Sequence, residues 1–245
     1  MHLIKVNAIN STNSFVRELF REKAELPMTC VVAKKQLQGR GQRGTIWDAE
    51  EGKNLTFSVF FPRPGVAPAS QFLISATVAV SLIRSLEKFD LPRLKVKWPN
   101  DILSANRKVA GILIENILSE GKIAGSVIGI GLNVNQEEFP ELPQAGSMKM
   151  MTGQEQDLDL DLVLETILKD LEQVLENFSE RQSGAILKTY EKCLFRRTIP
   201  STFQLPSGQL FTGIIHGVTA QGKLLVRDED EKIREFDLKE VSLRY

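Results

Sequence analysis

Residues 93–118, RLKVKWPNDILSANRKVAGILIENIL, are rich in β-branched and apolar residues and are broken by two turn signals. Trp98-Pro99 marks the first turn and the Ala-Asn-Arg tripeptide at 105–107 marks the second, so the segment predicts a strand, a short strand and a longer strand. Residues 122–135, KIAGSVIGIGLNVN, predict one more strand, with glycine where another group comes close. These strands are expected to form a sheet in the main part of the chain.

The N-terminal third predicts further elements of the same domain. A helix is expected over residues 11–23, with Ser11 or Thr12 in the capping position. Strands are predicted at residues 2–9, 29–36 and 54–61.

Two longer helices are predicted further along. Residues 70–89 form a strongly apolar helix that is expected to be buried on most sides. Residues 158–178 keep helical spacing of leucine and valine and predict an amphipathic helix. Beyond Arg196 short strands alternate with Pro-Ser-Gly, Ala-Gln-Gly and Asp/Glu turns, which indicates a small all-β unit. We therefore expect two domains, residues 1–193 and 194–245.

The composition argues against several classes of protein. Lys plus Arg and Asp plus Glu both total 31, so the chain lacks the basic field expected of a nucleic-acid-binding protein. Cys30 and Cys193 are too few for a disulfide framework or a cysteine zinc site, which favours a reducing cytoplasm. No stretch approaches the roughly 20 apolar residues that span a bilayer, and no signal peptide is recognisable, so no membrane association is expected.

The scarcity of histidine limits the chemistry. With only His2 and His216, a histidine-dependent triad or a histidine-rich metal site is not expected. The Gly-Lys pair in residues 119–125, SEGKIAG, lacks the other residues of a phosphate-binding P-loop. Residues 129–135, GIGLNVN, lack the third glycine of a dinucleotide-binding turn, so structural glycines in a crowded strand are the better interpretation.

Two loop segments are candidates for ligand binding. Residues 36–47, QLQGRGQRGTIW, combine the backbone freedom of glycine with the anion-binding forks of arginine. Residues 95–101, KVKWPND, place Asn100 and Asp101 after a rigid Trp-Pro turn. Without a ligand, residues 36–47 would be a mobile basic loop, and Asn100 and Asp101 would be ordinary turn-forming residues.

Two strand segments are candidates as well. In residues 107–115, RKVAGILIE, Lys108 enters an apolar strand that passes through Gly111, where a backbone could approach a ligand. In residues 129–135 the amides of Asn133 and Asn135 alternate with apolar residues and so point to the same face. Taken alone, Lys108 is better interpreted as an ordinary strand-edge lysine, and the two amides could simply begin a loop.

In their order and spacing these segments resemble the catalytic core of biotin protein ligases. Ser-Thr-Asn at 11–13, GRGQRG followed by tryptophan, KWPND, K-x-AGIL-x-E and GIGLNVN occur in the family order, and the resemblance covers nearly the whole chain. It implies an α+β fold, in which a mixed sheet is flanked by helices in a class II synthetase-like arrangement and a small SH3-like β-barrel follows. It also implies a short form of the family, without the N-terminal DNA-binding domain that some members carry.

Carried over residue by residue, the resemblance implies two ligand sites and a catalytic set. Contacts with biotin are implied for Ser11, Thr12, Asn13, Gln36, Arg40, Gly41, Gln42, Lys108, Gly111 and Ile112. Contacts with ATP or the adenylate are implied for Gly39, Trp47, Lys97, Asn100, Asp101, Asn133 and Phe139. The catalytic residues would be Lys108, Arg40 and Arg43, and Asp101 would bind Mg²⁺. Gln42 departs from the family, since many members carry an arginine there that helps to retain the adenylate.

The implied reaction has two steps. The biotin carboxylate attacks the α-phosphate of ATP to give biotinyl-5′-AMP and pyrophosphate, and a lysine of a biotin carboxyl carrier protein, most plausibly that of acetyl-CoA carboxylase, then displaces AMP. Positioning and charge neutralisation by Arg40, Arg43, Lys108 and Mg²⁺ would supply the catalysis, and no enzyme nucleophile is needed. The glycine-arginine loop is expected to close over the ligand.

Three alternatives stay open at this point. A lipoate ligase or octanoyltransferase shares the fold family, a nucleic-acid-binding module could use Arg40, Arg43 and Arg63, and a non-catalytic protein could keep the pocket. Of these the balanced charge disfavours the nucleic-acid module. We expect a cytoplasmic protein that binds no nucleic acid, and the sequence leaves a monomer and a homodimer equally open.

Overall fold

The computed structural model describes residues 1–23, 25–140 and 142–244, and of Arg43 it describes the backbone only. Its helices are α1 (Thr12–Glu22), α2 (Phe72–Glu87), α3 (Met148–Thr152), α4 (Leu160–Glu176) and α5 (Ser183–Cys193). Its strands are β1 (His2–Ile9), β2 (Thr29–Gln36), β3 (Asn54–Pro62), β4 (Lys95–Lys97), β5 (Asp101–Ser104), β6 (Arg107–Ser119), β7 (Lys122–Asn133), β8 (Ser201–Gln204), β9 (Leu210–Val218), β10 (Leu224–Asp228), β11 (Ile233–Phe236) and β12 (Ser242–Arg244).

The first seven strands form one mixed sheet in the order β1-β2-β3-β7-β6-β5-β4. Strands β1 and β2 pair in parallel, and every other neighbouring pair in this sheet is antiparallel. Short turns join β4 to β7 in chain order, as residues 93–135 predict. The mixed sheet with helices against it confirms the predicted fold class.

The two faces of the sheet are covered by different helices because strand side chains alternate. Phe57 and Val59 of β3 belong to the large core that includes α2 and α4. Phe60 points the other way and packs with Val16 of α1 in a smaller cluster. The α1 face is therefore only partly filled with apolar side chains, and the remainder of it is available for a binding site.

Helix α2 is buried, as expected, but it corrects the expectation that no stretch approaches the length and apolarity of a membrane span. Residues Pro68–Glu87, which join a short 3₁₀ turn to α2, are long and apolar enough to cross a membrane by length and composition, with a mean hydropathy of 1.4. Two thirds of this stretch, 67%, is buried inside the protein. Its apolar character is accounted for by packing against the sheet, α4 and α5, as in the central helix of a globular core.

Helices α2 and α4 are joined by a polar bridge at Asp170. Its carboxylate accepts a hydrogen bond from Ser85 Oγ at 2.7 Å and contacts Lys88 Nζ at 2.7 Å. Partial burial raises the pKa of Asp170, but the hydrogen bonds from Lys88 and Ser85 outweigh it and hold the pKa below its usual value of 3.8. A depressed carboxyl pKa stabilises the folded state above the unfolded pKa and loses this effect as pH falls through the folded one.

Asp170→Asn is therefore expected to lower the free energy of unfolding by about 1 kcal/mol at pH 7, a modest value because Lys88 is half exposed. The difference from the unsubstituted chain should shrink as pH falls below about 4. Urea unfolding at pH 7 and at pH 3 measures both effects. Glu165→Gln, on the exposed side of the same helix, is the matched control and should change neither value.

The C-terminal part forms a second, five-stranded antiparallel sheet in the order β11-β10-β9-β8-β12. Its inner side is filled by a row of stacked rings. The ring centroid of Phe211 lies 5.3 Å from that of Phe203 and 5.7 Å from that of Phe236. The predicted all-β unit is confirmed. The predicted boundary between residues 193 and 194 stays a prediction, because a single apolar core continues from the first sheet into the second.

The second sheet contacts the turn that joins β4 to β5. Trp98 Nε1 donates a hydrogen bond to the carbonyl of Gly222, at 2.8 Å, and the Tyr190 hydroxyl of α5 donates to the carbonyl of Pro99, at 3.2 Å. On the other side Asn100 Nδ2 donates to the carbonyl of Ile112 at 2.8 Å. The Trp-Pro-Asn turn is thereby held between the β unit and strand β6.

Candidate active site

A cavity of about 640 Å³ lies on the α1 face of the first sheet, within the volume range of small-molecule sites. Its walls come from the start of α1, the end of β2, residues 40–42 and 45–48, the β4–β5 turn, β6, β7, Phe139 and residues 142–145. Of the residues singled out by the resemblance whose side chains the structure describes, the cavity brings together all but Gly39. The ligand contacts implied for these residues stay predictions.

One end of the cavity is a network of neutral polar groups. Gln36 Oε1 accepts hydrogen bonds from the Thr12 backbone N–H at 2.8 Å and from Thr12 Oγ1 at 3.1 Å. Ser58 Oγ lies 2.7 Å from Thr12 Oγ1 and 2.6 Å from Asn13 Oδ1. Ser11 occupies the N-cap position of α1 without a side-chain capping bond, and its side chain lines the cavity. This end therefore offers hydroxyl and amide groups to a ligand.

The opposite end carries charge. Lys108 Nζ lies 2.7 Å from Asp101 Oδ1, and the side chains of the two residues are 36% and 20% exposed. Because the pair lies at the cavity wall rather than in bulk solvent, its charges are less screened than those of a surface pair. Lys97 and Asn133 line the same region. An anionic group can therefore be bound at this end.

The predicted glycine-arginine loop is an ordered hairpin. Gly41 N donates to the carbonyl of Thr45 at 2.7 Å, and Trp47 N donates to the carbonyl of Gly39 at 3.0 Å. Gly44, at the tip, has a φ of +85°, which side-chain-bearing residues rarely adopt. Gly39 contributes this carbonyl to the hairpin rather than a surface to the cavity. The side chain of Arg43 lies outside the described part of the chain.

The hairpin delivers Trp47 onto the sheet. Gly111 of β6 and Gly131 of β7 are direct cross-strand partners, and the indole packs against both. Lys108 Nζ lies 5.5 Å from the centroid of the indole ring, within the range of a cation–π contact. The glycines of the GIGLNVN segment are thus needed for close packing, as the sequence interpretation held.

The last wall is formed by Phe139 and residues 142–145, which Gly146 follows. Lys108 N donates to the carbonyl of Gln144 at 2.7 Å, Gly146 N donates to the carbonyl of Lys108 at 2.9 Å, and buried Asn133 donates from Nδ2 to the Gly146 carbonyl at 3.0 Å. The segment is thereby fixed along β6. Phe139 lies in this wall, half-buried, and its stacking on adenine stays a prediction.

Neither cysteine supplies a nucleophile to this site. Burial raises the pKa of the Cys30 thiol to about 12, which keeps it protonated at neutral pH, and burial likewise raises the pKa of Cys193. Among residues 1–23, 25–140 and 142–244 no group of three or more His, Cys, Asp or Glu side chains could hold a metal ion. Asp101 therefore belongs to no such group, and a Mg²⁺ ion there would need phosphate oxygens as further ligands.

Sequence reasoning missed several residues of the site. Ser58, in the middle of an apolar strand, gave no signal, although it links Thr12 to Asn13. Glu115 was quoted within a motif but given no role, although it accepts a hydrogen bond from Asn13 Nδ2 at 2.7 Å. Leu142, Pro143 and Ala145 also line the cavity. They fall within residues 136–150, where the resemblance implies an adenine-covering loop but in which only Phe139 was singled out.

Comparison with known proteins gives a consistent result. Residues 6–133 match the biotin/lipoate A/B protein ligase family. The bifunctional ligase/repressor BirA of Escherichia coli is 30% identical over 238 residues, which are 96% of this chain and 72% of that protein. The biotin--[acetyl-CoA-carboxylase] ligase of Paracoccus denitrificans is 36% identical over 104 residues, which are 42% of this chain and 43% of that protein.

Solved structures show the same likeness over the whole chain. The biotin protein ligase from Aquifex aeolicus, in complex with biotin and ATP, has a TM-score of 0.79 and 29% identity, with 99% of this chain and 98% of that chain covered. A biotin protein ligase from Leishmania major, in complex with biotinyl-5-AMP, has a TM-score of 0.67 at 21% identity and shares the fold. The chain belongs to the biotin/lipoate A/B protein ligase family.

Proposed function

We propose that this chain is a biotin–protein ligase, an enzyme that activates biotin with ATP and transfers it to a lysine of a carrier protein. One observation carries the proposal: a single cavity joins a neutral polar end, around Thr12 and Gln36, to a charged end at Lys108 and Asp101. Biotin has the matching polarity, because a neutral ureido ring is separated from a carboxylate by an apolar tail. The names of the relatives support biotin as the substrate.

The first half-reaction requires two anions to meet. An oxygen of the biotin carboxylate attacks the α-phosphorus of ATP, the bond to the β-phosphate oxygen breaks, and pyrophosphate leaves. Lys108 lies where it can neutralise charge on both reactants, provided that it exchanges its contact with Asp101 for one with the ligands. The cavity walls supply the alignment, which accounts for a large part of the catalysis of such a step.

The second half-reaction needs no nucleophile from the enzyme. The neutral amine of the acceptor lysine attacks the acyl carbon of the mixed anhydride, an amide forms, AMP leaves and the amine gives up a proton. The described residues of the cavity accordingly include no cysteine or histidine. The carrier of acetyl-CoA carboxylase is the acceptor that the name of the Paracoccus denitrificans relative supports.

We further propose that Mg²⁺ arrives with ATP and contacts Asp101. The support is chemical, since a lone carboxylate with nucleotide phosphates is a common way of binding this ion. The metal would supply charge neutralisation on the phosphates. Asp101 would then exchange Lys108 for the metal as the nucleotide binds.

Lipoate is the second acyl group to consider, because the family includes lipoate ligases. The polar end of the cavity argues against it, because the dithiolane ring of lipoate has no N–H group to pair with buried hydroxyl and amide oxygens. A site built for hydrogen bonds rejects a ligand that lacks them by a large factor. The buried groups here are Thr12, Asn13 and Ser58.

Two measurements test the function. Exchange of labelled pyrophosphate into ATP should require biotin and should not be supported by lipoate or octanoate. In calorimetric titrations biotin should bind at least about 1000-fold more tightly than lipoate. If lipoate supported exchange instead, the family assignment would stand, but biotin would be rejected as the substrate. Absence of exchange with every acyl group would indicate a binding protein without turnover.

A further inference from the structure

Glu115 lies behind the neutral end of the cavity, where it contacts Asn13 of the lining. It lies on β6, its side chain is 21% exposed, and it accepts a hydrogen bond from Asn13 Nδ2 at 2.7 Å. Arg17 Nη1 and Arg40 Nη2 each approach its carboxylate at 3.4 Å. The shortest of these contacts, and the one with a buried partner, is that to Asn13.

From Glu115 a continuous chain of hydrogen bonds runs along the wall of the cavity. Asn13 binds Glu115 at 2.7 Å through Nδ2, and its Oδ1 lies 2.6 Å from Ser58 Oγ. Ser58 Oγ lies 2.7 Å from Thr12 Oγ1, which is 3.1 Å from Gln36 Oε1. Asn13, Ser58 and Thr12 are all at most 5% exposed, so bulk water does not compete for these bonds.

Two acceptors fix the direction of the chain. Glu115 at 2.7 Å and the carbonyl of Leu113 at 3.4 Å can only accept, so Asn13 directs Nδ2 toward them and Oδ1 toward Ser58, and Glu115 makes the shorter contact. The single proton of Ser58 is then donated to Asn13 Oδ1. The Thr12 proton is then donated mainly to Ser58 Oγ, because their 2.7 Å contact would otherwise hold no proton, and Gln36 Oε1 at 3.1 Å is the weaker acceptor. Thr12 Oγ1 keeps a lone pair for the cavity.

We propose that Glu115 is a positioning residue that selects a ligand with an N–H group at this end of the cavity, by making Thr12 an acceptor there. The proposal rests on the proposed function, in which that group is an N–H of the biotin ureido ring. Without the carboxylate only the longer 3.4 Å contact with the Leu113 carbonyl holds Nδ2 in place, so Asn13 can turn its amide over in part of the molecules and reverse the chain. Thr12 would then direct a proton, rather than a lone pair, toward the ligand in part of the molecules.

The test compares biotin with analogues methylated on either ureido nitrogen, by calorimetry with the full chain. The unsubstituted chain should bind at least one analogue about 100-fold more weakly than biotin, since an N–H bond is lost and a buried acceptor is left unpaired. Glu115→Ala should bind biotin about tenfold more weakly. In this variant the ratio between the dissociation constants of that analogue and of biotin should be tenfold or less. Glu115→Gln keeps an acceptor for Asn13 and should retain most of the ratio.

Two further variants separate this mechanism from others. Glu120→Gln removes an exposed carboxylate from the turn after β6 and should bind both ligands like the unsubstituted chain. If Glu115 acted through Arg40, the Glu115→Ala change would have no further effect in an Arg40→Ala background, and the proposal would be overturned. An unchanged ratio in Glu115→Ala would overturn it as well. A chain that bound no biotin at all would instead contradict the proposed function.

Discussion

Lys108→Ala is expected to reduce biotin-dependent exchange of pyrophosphate into ATP by about 100- to 1000-fold, the loss typical of removing one charge-stabilising group from an active site. The ammonium lies 2.7 Å from Asp101 and 5.5 Å from the Trp47 ring centroid, at the charged end of the cavity. Without it, one of the positive charges that offset the repulsion between the biotin carboxylate and the α-phosphate is lost. The loss should therefore appear mainly in kcat.

The fold should survive this substitution. The Lys108 side chain is about one third exposed, so its loss, with Asp101 left unpaired, should cost about 1 kcal/mol of unfolding free energy. Lys122→Ala, which removes an exposed lysine from the start of β7, is the control and should leave exchange unchanged. Exchange by Lys108→Ala within threefold of the unsubstituted rate would remove Lys108 from the catalytic set.

Gly131→Ala is expected to weaken biotin binding by about 10- to 100-fold, because overpacking of this kind costs about 1–3 kcal/mol. An added Cβ would lie 2.2 Å from Cε2 of Trp47 and 2.6 Å from both Cζ2 and Nε1. The indole is rigid, so it would have to move away and carry the hairpin with it. Calorimetric titration with biotin measures the loss.

A double substitution separates steric conflict from other effects. Trp47→Ala alone should weaken binding, but adding Gly131→Ala to it should have little further effect, because the colliding ring is gone. Gly184→Ala, at a helical position where an added Cβ meets no atom within 4 Å, should bind biotin normally. Additive losses from Trp47→Ala and Gly131→Ala would contradict the packing explanation.

Much of the fold could be predicted from local pattern. The bounds of β1 and β2 agree with the predicted ones, and helices α2 and α4 lie within the predicted segments. Local propensity and periodicity are strong in these stretches, so little tertiary information is needed. Helices α3 and α5 were not predicted, because the first is a single short turn and the second has a mixed composition.

The burial of helix α2 was expected from its sequence, although its composition is one that two environments share. Residues 68–87 are apolar enough for a membrane span, yet the protein buries most of them itself. Whether an apolar helix is covered by lipid or by protein depends on what else the chain supplies as a partner. Here the sheet and two other helices supply it.

The order of the motifs along the chain identified the family and most residues of the cavity, since each motif carries its own residue types at a fixed spacing. Only the tertiary structure decided how those residues act together. Glu115 contacts Asn13 across 102 residues of sequence. Trp47 contacts Gly131 across 84 residues of sequence. A hydrogen bond or a close packing contact depends on a few tenths of an ångström between such partners, and that spacing is set by sheet register and not by local sequence.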